Sequence, residues 1–258
     1  MTWLAPEIEV TLGDETRLAS VQEMKVVASR SQPIATAYIE LSNVRFEWND
    51  GVDDGDDLVI RWGYRGHDLS PLFDGTVKRA HLQETLKVWG LCRARALSDT
   101  RVTRTYQDEA ADAVVNHLVA GLGFESLDIA SCDTFIDKLP LQDNTIVDAI
   151  QFLNRRLGLD HAFYADPSGG FNWGPRDETQ EPSHTFIRGD DVLDLQSLPG
   201  GGILLTVMGV AIWHSETVVL EGTDGTETRY FVEQVVHTAG QSGKGIRSRL
   251  LLIEVGDA

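Results

Sequence analysis

The sequence predicts an α+β fold that is mainly β, and three observations carry that expectation. Residues up to about Ser98, and again after Pro182, alternate polar and apolar with a period of two. Between them the period becomes helical, with two apolar stripes, each followed by a glycine. The alternating runs are rich in Val, Ile, Thr and aromatics and are punctuated by Gly, Asp and Asn. The expected order is a β-domain over 1–100, an α/β insert over 101–180 and a second β-domain over 181–258.

In the first part, "EIEVTL", "EMKVVAS", "ATAYIELSNVRFEW", "DLVIRWGY", "LFDGTVKRAHL" and "TLKVWGLCRARAL" read as six antiparallel strands, enough to curl into a small barrel or sandwich. The insert opens on Thr105 and Asp108, which fit a capping box. Ala111, Val114, Val115, Leu118 and Leu122 form the stripe that follows, and Gly123 is placed to end it. A second helix repeats the design, with Thr145 and Asp148 as cap, Ile146, Ile150, Leu153 and Leu157 on one face, and Gly158 as terminator. "LDHAFYADPSGGFNWGP" then alternates around Asp166 to Gly170, which predicts a hairpin packed on those helices. The last part holds "HTFIRG", "DVLDLQSL", "GILLTVMGVAIW", "TVVLEG", "RYFVEQVVHT" and "RSRLLLIEV", with "EGTDGTET" as a hairpin turn.

Composition narrows the function. No apolar run approaches eighteen residues, so no membrane span is expected. "MTWLAPEIEV" lacks the basic and apolar regions of a signal peptide, which predicts folding in the cytoplasm where the chain is made. Cys92 and Cys132 have no CxxC spacing, which argues against a zinc site or a disulfide framework. The net charge of −18 is spread along the chain, about −5, −7 and −6 over the three parts. With basic residues scattered, specific nucleic-acid binding is not expected.

Motifs of chemistry were weighed singly. The aspartates between Asp50 and Asp57 do not fit the D-x-[DN]-x-[DN]-G pattern of a calcium loop and read as a solvated turn, with a weak cation site as the alternative. "HTAGQSGKGI" lacks two Walker A positions, having Thr238 where a glycine is needed and Gly245 after Lys244 where Ser or Thr is needed. It reads as a glycine loop between strands. His117 and His237 are expected to be structural. Trp48, Trp62, Trp89 and Trp213 fall in or beside predicted strands and are assigned to cores or interfaces. No catalytic, cofactor-binding or metal residues are nominated.

Three blocks then carry a resemblance: "GDDLVIRWGYRGHDLSPLFDGTVKRA", "LPLQDNTIVDAIQFLNRRLGLDHAFYADPSGGFNWGP" and "RYFVEQVVHTAGQSGKGIRSRLLLIEVG". In that order they resemble the tail hub family of contractile phages, the late-control protein D type, which is similar to the N-terminal part of type VI secretion spike proteins. The resemblance implies two tube-like β-barrel domains per chain and a homotrimeric, pseudo-hexameric ring in the virion tail baseplate. It implies a non-enzymatic hub joining the tail tube protein to a trimeric spike protein, with tape measure and baseplate wedge proteins as further partners and no cofactor. The alternatives are a carbohydrate-binding β-module and a cell-wall-active glycosidase of a tail tip. A hub would pass cargo through its bore, so lumen-facing positions of the β-domains are expected to be small or acidic, with Arg155 and Arg156 on the outer surface.

Overall fold

The computed structural model describes residues 6–43, 48, 51–177, 179–199, 201–240 and 245–255. Strands take 55% of residues and helices 11%, so the mainly-β class holds. The first seven strands are β1 (Pro6–Leu12), β2 (Glu15–Leu18), β3 (Val21–Ser29), β4 (Gln32–Ser42), β5 (Asp57–Tyr64), β6 (Ser70–Leu82) and β7 (Thr85–Cys92). Next come α1 (Arg95–Asp99), β8 (Arg101–Tyr106), β9 (Glu109–Ala110), α2 (Ala111–Val119), β10 (Leu127–Ile129), β11 (Phe135–Ile136), β12 (Leu139–Thr145), α3 (Ile146–Leu157), β13 (Ala162–Ala165) and β14 (Phe171–Gly174). The chain ends with β15 (His184–Ile187), β16 (Val192–Ser197), β17 (Gly202–Met208), β18 (Thr217–Glu221), β19 (Glu227–Gly240) and β20 (Arg247–Glu254).

Both β-rich parts enter one thirteen-stranded sheet in the order β16-β17-β20-β19-β3-β4-β7-β6-β5-β1-β2, with β18 also on β19 and β15 beside β18. The seam is the antiparallel pair β3–β19, from Gln234 opposite Ser29 to Gly240 opposite Glu23. Two β-sets were expected to stand as separate barrels. Instead, long strands at the seam satisfy each other's backbone groups, and the sheet path stays open rather than closing on itself. Strand alternation sends Val10, Leu58, Ile60, Val88, Leu205, Val235, Leu250 and Leu252 into one continuous core, all fully buried. Each such side chain contributes about 1.5–3 kcal/mol.

The seam is sealed by a close approach. Gly209 donates its N–H to Ile246 O at 2.8 Å, and Tyr64 donates its hydroxyl to Gly209 O at 3.2 Å. A Cβ on Gly209 would overlap the indole of Trp62 and sit 2.7 Å from Ile246 Cγ2. This contact also ends "GILLTVMGVAIW" early, since the strand stops at Met208 and residues 209–213 leave the sheet.

The insert keeps its predicted second helix. Thr145 Oγ1 accepts the Asp148 N–H at 3.1 Å, Ile146, Ile150 and Leu153 are buried, and Gly158 ends the helix in the left-handed region at φ 66°. The first helix differs at its start. Thr105 lies in β8, Asp108 has φ 53°, and the helix begins at Ala111, whose N–H is already taken by Thr134 O. It ends at Val119, before Gly123, while Ala111, Val114, Val115 and Leu118 are buried as expected. The β13–β14 hairpin forms around Asp166 to Gly170, with β10 parallel to β14. Strands β2, β8, β9, β11 and β12 had no expectation, and the run through Leu97 divides into β7 and α1.

Candidate functional site

Where single residues were singled out, side-chain geometry assigns them to structure. In the aspartate loop, Asp53 N donates to Asp56 Oδ2 at 2.8 Å, Arg95 pairs with Asp54 at 3.2 Å, and Gly51 and Gly55 carry positive φ. Asp56 O accepts from Val77 N at 2.8 Å, which ties the turn to β6. Asp50 lies outside the described residues. Among the described residues, no three His, Cys, Asp or Glu side chains come together as a metal site. Gly243 and Lys244 also lie outside the described residues, while Gly245 has φ 68°.

His237 is fully buried at the seam. Its Nε2 donates to Ile212 O at 3.0 Å, so in the neutral ring Nδ1 accepts from Ser248 Oγ at 2.8 Å. Burial lowers its pKa to about 4, and the bond to Ile212 opposes that only in part. His117 bridges Tyr106 and Arg104 through its two ring nitrogens. Trp48, Trp62 and Trp213 are buried. Trp89 instead stands on the solvent side of β7, 5.2 Å from the Tyr38 ring and under Arg79 at 5.4 Å.

That solvent side runs across the long strands of the sheet. Register places Met208, Arg247, Thr238, Lys25, Tyr38, Trp89 and Arg79 in one row across seven strands, from β17 to β6. A neighbouring row runs Thr206, Arg249, Val236, Val27, Thr36 and Leu91. Glu40, which accepts from Thr85 and pairs with Lys87 at 3.6 Å, is held below the usual carboxylate range, first by the Thr85 bond. The two rows thus bring together the cations Lys25, Arg79, Arg247 and Arg249 and the rings of Tyr38 and Trp89, with Glu23 opposite Glu40 beside them. Arg155 and Arg156 are exposed at the end of α3.

The sheet also has open ends. Among the described residues, β16 pairs only with β17 and β2 only with β1. Their apolar side chains Leu193 and Leu18 are 46% and 63% exposed.

No family model matches this sequence. No curated protein matches it either. Solved structures do. A tail protein of prophage MuSo2 from Shewanella oneidensis superposes over 96% of this chain and 97% of its own, at TM-score 0.73 and 11% identity. The fold is that of phage tail proteins. A tail protein from Neisseria meningitidis MC58 matches over 97% of both chains at TM-score 0.75 and 12% identity. An E. coli component of the type VI secretion system, described as similar in structure to T4 bacteriophage tail proteins gp27 and gp5, shares the tail-protein fold over 96% of this chain and 77% of its own, at TM-score 0.67 and 11% identity. The ordered sequence blocks had pointed to this fold before any coordinates. The cation-rich face had no sequence signal, because its rows are set by pairings between distant strands.

Proposed function

We propose that this chain is a structural hub of a phage tail or related injection device, assembling as a homotrimeric, pseudo-hexameric ring between the tail tube and a trimeric spike. The observation that carries the reading is the tail-protein fold over nearly the whole length of both compared tail proteins. The first and second β-sets, with the insert between them, serve as the ring's two lobes per chain, so three chains supply six. A role without catalysis is part of this reading, and the compared tail proteins support it by their fold.

Head-to-tail association supplies the ring. The free edge of β16 carries unpaired backbone groups at one end of the sheet path, and β2 lies at the other, so one copy's edge can extend its neighbour's sheet. Such a heterologous contact closes when the rotation per copy divides a full turn. An acidic, low-friction bore is compatible with this arrangement only if the face bearing Lys25, Arg247 and Arg249 turns away from the axis.

Electron-microscopy class averages of the purified chain test this reading. Three-fold rings with six lobes and a central hole are expected. Closed dimers or isolated monomers at all loadings would overturn it.

A further inference from the structure

Two arginines converge on one aromatic ring beneath the insert. Arg30, in the turn between β3 and β4, is 9% exposed, and its guanidinium carbon lies 5.8 Å from the centre of the Phe231 ring. Arg176, just after β14, stands 4.7 Å from the same ring. They share the walls of two adjoining cavities of about 460 and 410 Å³ between the β13–β14 hairpin and β19.

The two cations are not equally matched. Arg176 donates to Glu233 Oε2 at 3.2 Å, but its Nε is buried without a partner. Arg30 donates one N–H to the backbone oxygen of Asp160 at 3.2 Å, and among the described residues no carboxylate lies within ion-pair distance of it. A guanidinium this buried is expensive without an anion beside it. Its field reaches the neighbouring imidazoles. His214 is pushed down to about 3, first by burial and then by Arg30, and His161 is lowered by the same two causes in the same order. A carboxylate neutralising Arg30 within the chain would blunt that effect.

We propose that this cleft is an anion site that takes a carboxylate group between the guanidinium groups of Arg30 and Arg176, both of which line it. Guanidinium groups match the planar, two-oxygen geometry of a carboxylate. The cavity walls also carry Asp128, Asp160 and Asp177, which repel a doubly charged phosphate more than a singly charged carboxylate. The carboxylate can belong to a small organic acid or to an acidic side chain of another copy, since the chain carries 40 Asp and Glu residues. Either source would brace the insert against the sheet. The site lies within one chain and stands apart from the hub reading.

Calorimetric titration of the purified protein with sodium acetate, against sodium chloride of equal ionic strength, tests the free-acid source. Saturable binding near one per chain is expected, weakened at least about tenfold in Arg30→Gln by loss of a charge-assisted pair. Sedimentation with and without acetate tests the protein-borne source. Self-association that acetate reverses, and that Arg30→Gln abolishes, supports it. Arg176→Gln, at a more open position, carries the same comparison if Arg30→Gln does not fold. Absence of both effects in the wild-type protein, or effects that persist unchanged in the folded variants, would overturn the proposal.

Discussion

The first and second β-sets are built from similar strands yet finish their surfaces differently. In the first, β5 and β7 alternate strictly, with Leu58, Ile60, Trp62, Leu86 and Val88 sealed beneath them. In the second, no residue of β16 is buried, and Ile187 and Leu193 are 41% and 46% exposed. The first set runs through antiparallel pairs, and each of its strands except the short edge strand β2 finds two partners. The second sends β15 to a parallel pairing with β18 and leaves β16 with a single neighbour. Both sets end on an open strand, but the first ends on the four-residue β2 beside a fully sealed core, whereas the second ends on the six-residue β16, none of which is buried.

Substitution should separate the two sets. Leu58→Asp places an unpaired charge in the first core and should cost more than about 3 kcal/mol, enough to abolish the folded state of a marginal protein. Urea unfolding or loss of soluble expression reads this. Leu193→Asp, on the edge of the second set, should move stability by no more than about 0.5 kcal/mol. Equal losses at both sites would erase the contrast.

The seam between the sets should be acid-sensitive. His237 titrates near 4 when folded, against 6.5 when unfolded, so above pH 6.5 its burial carries no proton penalty. As pH falls from 6.5 toward 4 the unfolded chain takes up the proton first, and stability should drop by on the order of 3 kcal/mol. Denaturation midpoints across that window check the sign, and His237→Gln should flatten the slope. A stability that rises on acidification would contradict the buried neutral ring.

A smaller effect is expected at the close approach that joins the sets. Gly209→Ala forces a methyl against Trp62 and Ile246 and should cost about 1–3 kcal/mol, read by thermal unfolding. An unchanged melting temperature would mean that the sets are docked less tightly there than the geometry requires.

Much of this was legible in the sequence, and the misses share a cause. Strand β5 matches its predicted run from end to end, and α3 has its predicted cap and glycine stop, because alternation and caps are local signals. The first helix start was misread because Thr105 and Asp108 fit a local pattern that β8 and its partner β12 override. Pairing of β3 with β19 joins chain segments far apart, and no local signal announces that the two β-sets share one sheet path. The same distance hides the cleft, where Arg30, Arg176 and Phe231 meet only in the folded chain. Net charge does not say where charges gather: with a total of −18, strand register still brings Lys25, Arg79, Arg247 and Arg249 to one face.

On the proposed hub reading, the open edge of the second set closes a three-membered ring. Native mass measurement of the purified chain alongside Leu193→Lys tests it most directly, since a charge on that edge blocks strand pairing while leaving the fold intact. The account predicts a species of three times the 28.5 kDa chain mass for the wild type and a shift to single chains for the variant. A wild-type chain that stays single or pairs in twos at its highest soluble concentration, or a trimer indifferent to the variant, would contradict it.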